Sequence, residues 1–218
     1  MKVFVYKIDS YSKDLFFPKE RIKSKIQIIN ILLEASRYIL SNPHIGENNS
    51  NDEIKLVIDK MSRLFFSSKN KYYSIVFPFN LYEEGGRIYF HYLNNINVDA
   101  YLISKTKSAI NCDSFNDDCV LGFADSIFES SNSLESEELW SFLKELMLFE
   151  DGYIRYDKDL EGFNVAKEKG IPDRHPLTHY DLYYTNKAAF KIGLEVDNSI
   201  DDFIDLLNIK TDCKYIKN

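Results

Sequence analysis

Between Asp151 and Leu194, apolar or aromatic residues alternate with charged ones, and this period of two is the strongest constraint on the fold. Successive side chains of a strand point to opposite faces of its sheet. The segments Tyr153–Asp157, Thr178–Tyr184 and Ala188–Leu194 are therefore predicted to be strands. Each would have one apolar or aromatic face and one charged face, so the chain requires a sheet with a covered side and a polar side.

Helical spacing of apolar residues predicts helices before and after this region. A first helix is predicted to begin at Pro18, where a missing N–H costs nothing, and to end at Pro43. Ser50 and Glu53 have the spacing of a capping box, and an apolar stripe follows them as far as Phe65, which predicts a second helix. Two further helices are predicted, at 134–149 and, with Ser199 as its cap, at 199–207.

The middle of the chain has strand-like runs around a turn signal. Residues 72–82 and 87–93 flank Gly85-Gly86, and two glycines supply the positive φ that a tight hairpin needs. Two more strands are predicted at 98–104 and 119–123. This region is expected to form an antiparallel meander.

These patterns together predict an α+β fold, mainly an antiparallel sheet with three to four helices packed on it. A length of 218 residues suits a single domain over 1–218. The alternative is a subdivision near residue 130. Helices and the meander would then occupy 1–130, and a helix with the sheet that bears His and Asp would occupy 131–218.

Charge and cysteine content limit the compartment and the partners. A net charge of −7 argues against coating nucleic acid by charge alone, because phosphate contacts need clustered cations. The three cysteines form no CxxC pair, no apolar run approaches a membrane span, and the polar start does not resemble a signal peptide. We expect a cytoplasmic protein with no membrane partner.

The charged faces define the candidate site. Arg155 and Asp157 on one strand, and His179 and Asp181 on another, are predicted to share a face of adjacent strands. His175 would join them from a loop stiffened by its prolines. A carboxylate and two imidazoles can bind a divalent metal, and a metal beside an arginine can activate water against a phosphodiester. This hypothesis makes His175, His179 and Asp181 the candidate metal ligands, and adds Arg155 and Asp157 as candidate catalytic residues.

Two other interpretations of the same residues stay open. The first is a paired polar cluster on a partly solvated sheet, with no cofactor, and we favour it over the metal. The second is a sensor pocket for a small phosphorylated ligand, bound by Arg155, Arg174 and His179 without chemistry. The sequence contains no Walker A loop, GxGxxG or GxSxG motif, which sets aside the common nucleotide-binding folds and serine hydrolases.

The last third of the chain contains the runs DGYIRYDKD, HPLTHYDLYY and FKIGL. In these runs it resembles uncharacterised bacterial proteins found beside phage-defence genes. The matching residues are Arg155, Asp157, His175, Pro176, His179, Asp181 and Gly193. Such families have no established catalytic residues, so the resemblance implies a setting and no mechanism. The expected function is that of a bacterial accessory protein, in a phage-defence or toxin-like system, that binds another protein subunit.

Overall fold

The computed structural model describes residues 1–42, 51–93, 96–113, 115, 127, 133–185 and 187–215, without the side chains of 133–136. Its α-helices are Lys13–Phe16 (α1), Lys25–Ser41 (α2), Ala100–Ile110 (α3), Ser133–Leu148 (α4), Leu160–Glu168 (α5) and Ile200–Leu206 (α6). Its strands are Lys2–Lys7 (β1), Glu53–Ile58 (β2), Ser62–Ser68 (β3), Lys71–Val76 (β4), Asn80–Glu84 (β5), Arg87–Tyr92 (β6), Ile96–Asn97 (β7), Ile154–Lys158 (β8), Thr178–Leu182 (β9) and Phe190–Gly193 (β10). The fold is α+β with mainly antiparallel sheet, as the sequence predicts.

The chain forms two compact units, and the first consists of residues 1–23, 44–77 and 151–218. Its seven strands form one sheet in the order β1-β2-β3-β4-β8-β9-β10, with every neighbouring pair antiparallel. Strands that are consecutive within this unit are also neighbours in the sheet. The sheet is therefore a simple meander in which β4 and β8 are adjacent although 77 residues separate their ends in the sequence.

Both faces of this sheet are packed. On one face, Phe66 stacks on Tyr73 with ring centroids 4.4 Å apart, and Phe16 of α1 stacks on Phe66. On the other face, Phe203 of α6 inserts into a buried cluster, whose other members are Val57, Met61, Phe65, Tyr156 and Tyr180. As predicted, Ser199 caps α6: its side chain accepts from the Asp202 amide, which completes a capping box.

The second unit consists of residues 24–43 and 78–150. It contains α2, α3, α4 and a three-stranded sheet in the order β5-β6-β7. Gly85 and Gly86 both have positive φ at the β5–β6 turn, which confirms the predicted hairpin. The run predicted as one strand over 72–82 is divided at Pro78, because β4 belongs to the seven-stranded sheet and β5 to this smaller one.

The predicted helix from Ser50 to Phe65 is wrong, since residues 53–68 form the hairpin β2–β3. The apolar stripe of a helix and the residues of two strands buried on both faces give similar patterns over a short run. The chain reverses at a tight turn, where the Asp59 amide donates to the Met61 carbonyl over 2.7 Å. Ser50, the proposed cap, lies outside the described residues.

Two other elements differ from their sequence-based predictions. The strand predicted at 98–104 is instead the start of α3. Asp99 caps this helix, because its side chain accepts a hydrogen bond from the Leu102 amide at 2.9 Å. Helix α2 begins at Lys25 and not at Pro18, since Ser24 and Gln27 form a capping box there. The strand predicted at 119–123 lies outside the described residues.

The boundary between the two units does not lie at residue 130. The seven-stranded sheet contains strands from both ends of the chain, so the first unit includes residues before and after the second. Whether 1–218 behaves as one domain stays a prediction. Across the described ranges, no helix combines the length and the apolar character that crossing a bilayer requires.

Candidate functional site

The candidate site lies on the β8, β9 and β10 end of the seven-stranded sheet. Arg155 is opposite Asp181 and Asp157 is opposite His179 in the β8–β9 pair, so all four share one face. This confirms the predicted convergence. On the next strand, Lys191 is opposite Asp181. We call Arg155, Asp157, His179, Asp181 and Lys191 the polar cluster.

The charges of the polar cluster are paired inside the protein. The Arg155 guanidinium contacts Asp157 Oδ2 at 2.6 Å and donates to Asp181 Oδ2 at 2.5 Å. The Lys191 ammonium donates to the second oxygen of Asp181 at 2.8 Å. Burial acts to raise the pKa of Asp181, but the Lys191 hydrogen bond and the Arg155 charge outweigh it and hold that pKa below its usual value. Two cations therefore balance two carboxylates.

His179 is fully buried at the centre of the cluster. Its Nδ1 lies 2.9 Å from the Pro176 carbonyl, which can only accept, so Nδ1 carries the proton. Its Nε2 is then an acceptor and lies 2.6 Å from Lys191 Nζ. Burial and the Lys191 charge lower the pKa of His179. The imidazole is consequently held neutral, with both nitrogens hydrogen-bonded.

His175 is close to the cluster but has a different partner. Its ring centroid lies 5.1 Å from that of His179, while its Nε2 lies 2.8 Å from Asp159 Oδ2. The other oxygen of Asp159 caps α5 by accepting from the Gly162 amide at 2.9 Å. Asp159 therefore connects the start of α5 to His175, and His175 does not share a carboxylate with His179.

A small cavity of about 20 Å³ borders the cluster beside Arg155 and Tyr153. Tyr153 Oη and Arg155 Nε are both buried and have no hydrogen-bond partner of standard geometry in the described part of the chain. Burial raises the pKa of Tyr153 to about 12, against the opposing charge of Arg155. A cavity of this volume has room for about one water molecule.

The polar cluster fits a metal only in competition with its own cations. Asp157, His179 and Asp181 each offer one ligand atom, and these atoms lie within 4.8 Å of one another. Arg155 and Lys191, however, already contact the oxygens and the imidazole nitrogen that would bind the ion. A bound cation would have to displace them, and the arrangement is charge-balanced without it.

The structure places Arg174 apart from Arg155 and His179, and it adds Lys191, which the sequence analysis did not predict as a site residue. Arg174 lies in the 3₁₀ turn Pro172–Arg174 and is exposed, whereas Arg155 and His179 are largely covered. Lys191 was not predicted, although it belongs to a predicted strand. The period of two places it on the charged face of β10, and the β9–β10 register puts it opposite Asp181.

Comparisons with known proteins found no family model, curated protein or solved structure that matches this chain.

Proposed function

We propose that this chain is a cytoplasmic bacterial accessory protein that acts by binding a protein partner, in a phage-defence or toxin-like system. The observation that supports binding over catalysis is the charge balance of the polar cluster, in which Arg155 and Lys191 engage both aspartates and Lys191 also contacts His179. A catalytic group must be able to reach a substrate. His179 is fully buried and Asp181 is 3% exposed. The cluster accordingly acts as a structural network within the sheet.

The proposal is tested by isolating the protein at its native level from its own host. We expect a stoichiometric heteromeric complex with one other protein, measured by light scattering after size exclusion and identified by mass spectrometry. The purified chain should hydrolyse no model phosphodiester faster than an Asp181→Asn variant does. A chain that is always monomeric in lysate, and turns over phosphodiesters with added manganese, would contradict the proposal.

The alternative is a metal-dependent phosphodiesterase or nuclease that uses the His175, His179 and Asp181 cluster. The ligand atoms that lie within 4.8 Å of one another favour a metal site, but they belong to Asp157, His179 and Asp181, with Asp157 in the place of His175. Metal analysis separates the two hypotheses. We expect no stoichiometric metal, no effect of chelator on the melting temperature, and a loss of about 1–3 kcal/mol of stability in His179→Ala, because its partners become unsatisfied. One tightly bound zinc or manganese per chain, absent from His179→Ala, would establish the alternative.

A further inference from the structure

The small cavity beside the polar cluster lies between the large sheet and the segment that follows α1. Tyr73 and Arg155 line it from β4 and β8, and Phe17 and Pro18 line it from that segment. Its volume is about 20 Å³, which is room for about one water molecule. A halide ion is only slightly larger than a water molecule, so the cavity can also hold one such ion.

Two buried polar groups at this cavity have no partner in the described part of the chain. They are Tyr153 Oη and Arg155 Nε, whose side chains both line the cavity, and Tyr153 is only 6% exposed. Burial raises the pKa of Tyr153 to about 12, so the phenol keeps its proton at neutral pH and can donate it. Arg155 Nε can only donate. An occupant that accepts hydrogen bonds would satisfy both groups.

Lys71 brings a third donor and an excess of positive charge. It lines the same cavity and is opposite Asp157 in the β4–β8 pair. It forms no ion pair with any other described residue, whereas Asp157 contacts the Arg155 guanidinium at 2.6 Å. With Lys71 included, three cations face the two carboxylates of the polar cluster. One bound anion would balance this excess.

The acceptors at the cavity are already engaged or solvated. Glu20 lines the cavity, but its side chain is 85% exposed and its carboxylate lies 3.9 Å from the Lys23 ammonium. Its charge is therefore screened by water. The carbonyl of Phe16, another lining residue, accepts from the Tyr73 hydroxyl at 2.5 Å. The side chains that remain to bind an occupant are donors.

We propose that this cavity binds one chloride ion, held by the Tyr153 hydroxyl, Arg155 Nε and the Lys71 ammonium. A water molecule must place its own two hydrogens as well as accept, whereas a halide only accepts. A buried ion is tolerated when it is paired with opposite charge and hydrogen-bonded, and these three donors supply both conditions. The ion stabilises the folded chain by joining the segment after α1 to the face of the sheet.

The first test is thermal unfolding of the full chain in sodium chloride against sodium gluconate at constant ionic strength. We expect the melting temperature to rise with chloride and to saturate, because an ion that binds only the folded chain stabilises it by mass action. Tyr153→Phe should weaken the apparent chloride affinity about tenfold, since a hydrogen bond to a charged group is lost. Lys71→Gln, at a partly exposed position, should weaken it as well.

The matched control is Tyr72→Phe, which removes a hydroxyl from the opposite face of β4 and should respond to chloride like the wild type. In gluconate, Tyr153→Phe should melt at or above the wild-type temperature, because it removes a buried hydroxyl without a partner. This comparison separates loss of the ion from loss of the fold.

Crystals grown in sodium bromide locate the ion, since bromide replaces chloride and scatters anomalously. We expect one anomalous peak in the cavity, within hydrogen-bond distance of Tyr153 Oη. Four results would overturn the inference. They are a melting temperature that does not depend on chloride, an equal chloride response in Tyr153→Phe, a larger response to sulfate at equal ionic strength, and an ordered water in place of bromide at the cavity.

Discussion

At the scale of single residues, the state of His179 is decided by its neighbours. The Pro176 carbonyl accepts a hydrogen bond from Nδ1, and the Lys191 ammonium donates one to Nε2. Protonating Nε2 would place a second cation beside the Lys191 ammonium in a buried site, where such repulsion is weakly screened. Asp157 and Asp181 lie at 4.0 and 3.9 Å from Nε2 and only partly oppose this effect. The folded protein therefore prefers a neutral His179.

The depressed pKa of His179 predicts a pH dependence of stability. The ordinary value is 6.5. As the pH falls below it, the unfolded chain binds a proton at this residue before the folded chain does, so the free energy of unfolding falls with pH. The stability that the neutral His179 contributes is fully present above pH 6.5, and it is lost as the pH falls through the pKa of His179 in the folded protein. Denaturant titrations from about pH 7.5 to about pH 5 should show this slope.

The His179→Gln variant should lose that part of the slope, because its side chain does not titrate. His91→Gln is the control, since His91 lies in the other unit and the variant retains His179. An identical slope in wild type and His179→Gln would contradict the assignment of the pH dependence to this residue.

At the scale of elements, α5 depends on a glycine for a reason other than backbone conformation. A Cβ added at Gly162 would lie 2.3 Å from His175 Nε2 and 2.6 Å from Asp159 Oδ2. These atoms form the contact that joins the cap of α5 to His175. Gly162 therefore allows the close approach of an imidazole and a carboxylate to the first turn of the helix.

Gly162→Ala should destabilise the protein, although alanine normally favours a helix interior by about 1 kcal/mol over glycine. The added methyl group must displace the ends of the Asp159 and His175 side chains and break their contact. In the His175→Ala background the same change should become neutral or stabilising, which a double-mutant cycle measures by thermal or denaturant melts. Asn164→Ala, at an exposed position of α5, is the control and should have little effect. A stabilised Gly162→Ala single variant would refute this interpretation.

The elements also explain which parts of the fold the sequence could predict. Strands β8 and β9 were predicted together with their shared face, because each has one charged and one apolar side and the period is unambiguous. Strands β2 and β3 were mistaken for a helix, because both of their faces include buried residues and no polar period remains. Helix α3 was missed because the cap at Asp99 was not recognised. The convergence of Arg155, Asp157, His179 and Asp181 was predictable from the period of two. The contacts of Lys191 with His179 and Asp181 were not, because they depend on the register of the β9–β10 hairpin.

At the scale of the whole molecule, the large sheet is completed only by the last third of the chain. Strand β4 pairs with β8, and the cluster around Phe203 joins residues from β2, β3, β8, β9 and α6. The smaller unit, in contrast, consists of residues 24–43 and 78–150 and ends before β8 begins. Residues 1–150 thus contain every segment of one unit and only four of the seven strands of the other sheet.

A fragment of residues 1–150 should therefore lose the large sheet and keep the smaller unit. Removal of β8 leaves the edge of β4 unpaired, and removal of Tyr156, Tyr180 and Phe203 uncovers Phe65 and Val57. Hydrogen exchange at β2 and β3 amides should be faster than in the full chain by orders of magnitude, since local protection reflects the free energy of opening. Trp140, the only tryptophan, lies in the smaller unit and should keep its cooperative unfolding transition by fluorescence. A fragment of residues 1–215, which retains all ten strands, is the control. Equal protection of β2 and β3 in the two fragments would mean that the first four strands fold without the last three, contrary to the expectation from their shared core.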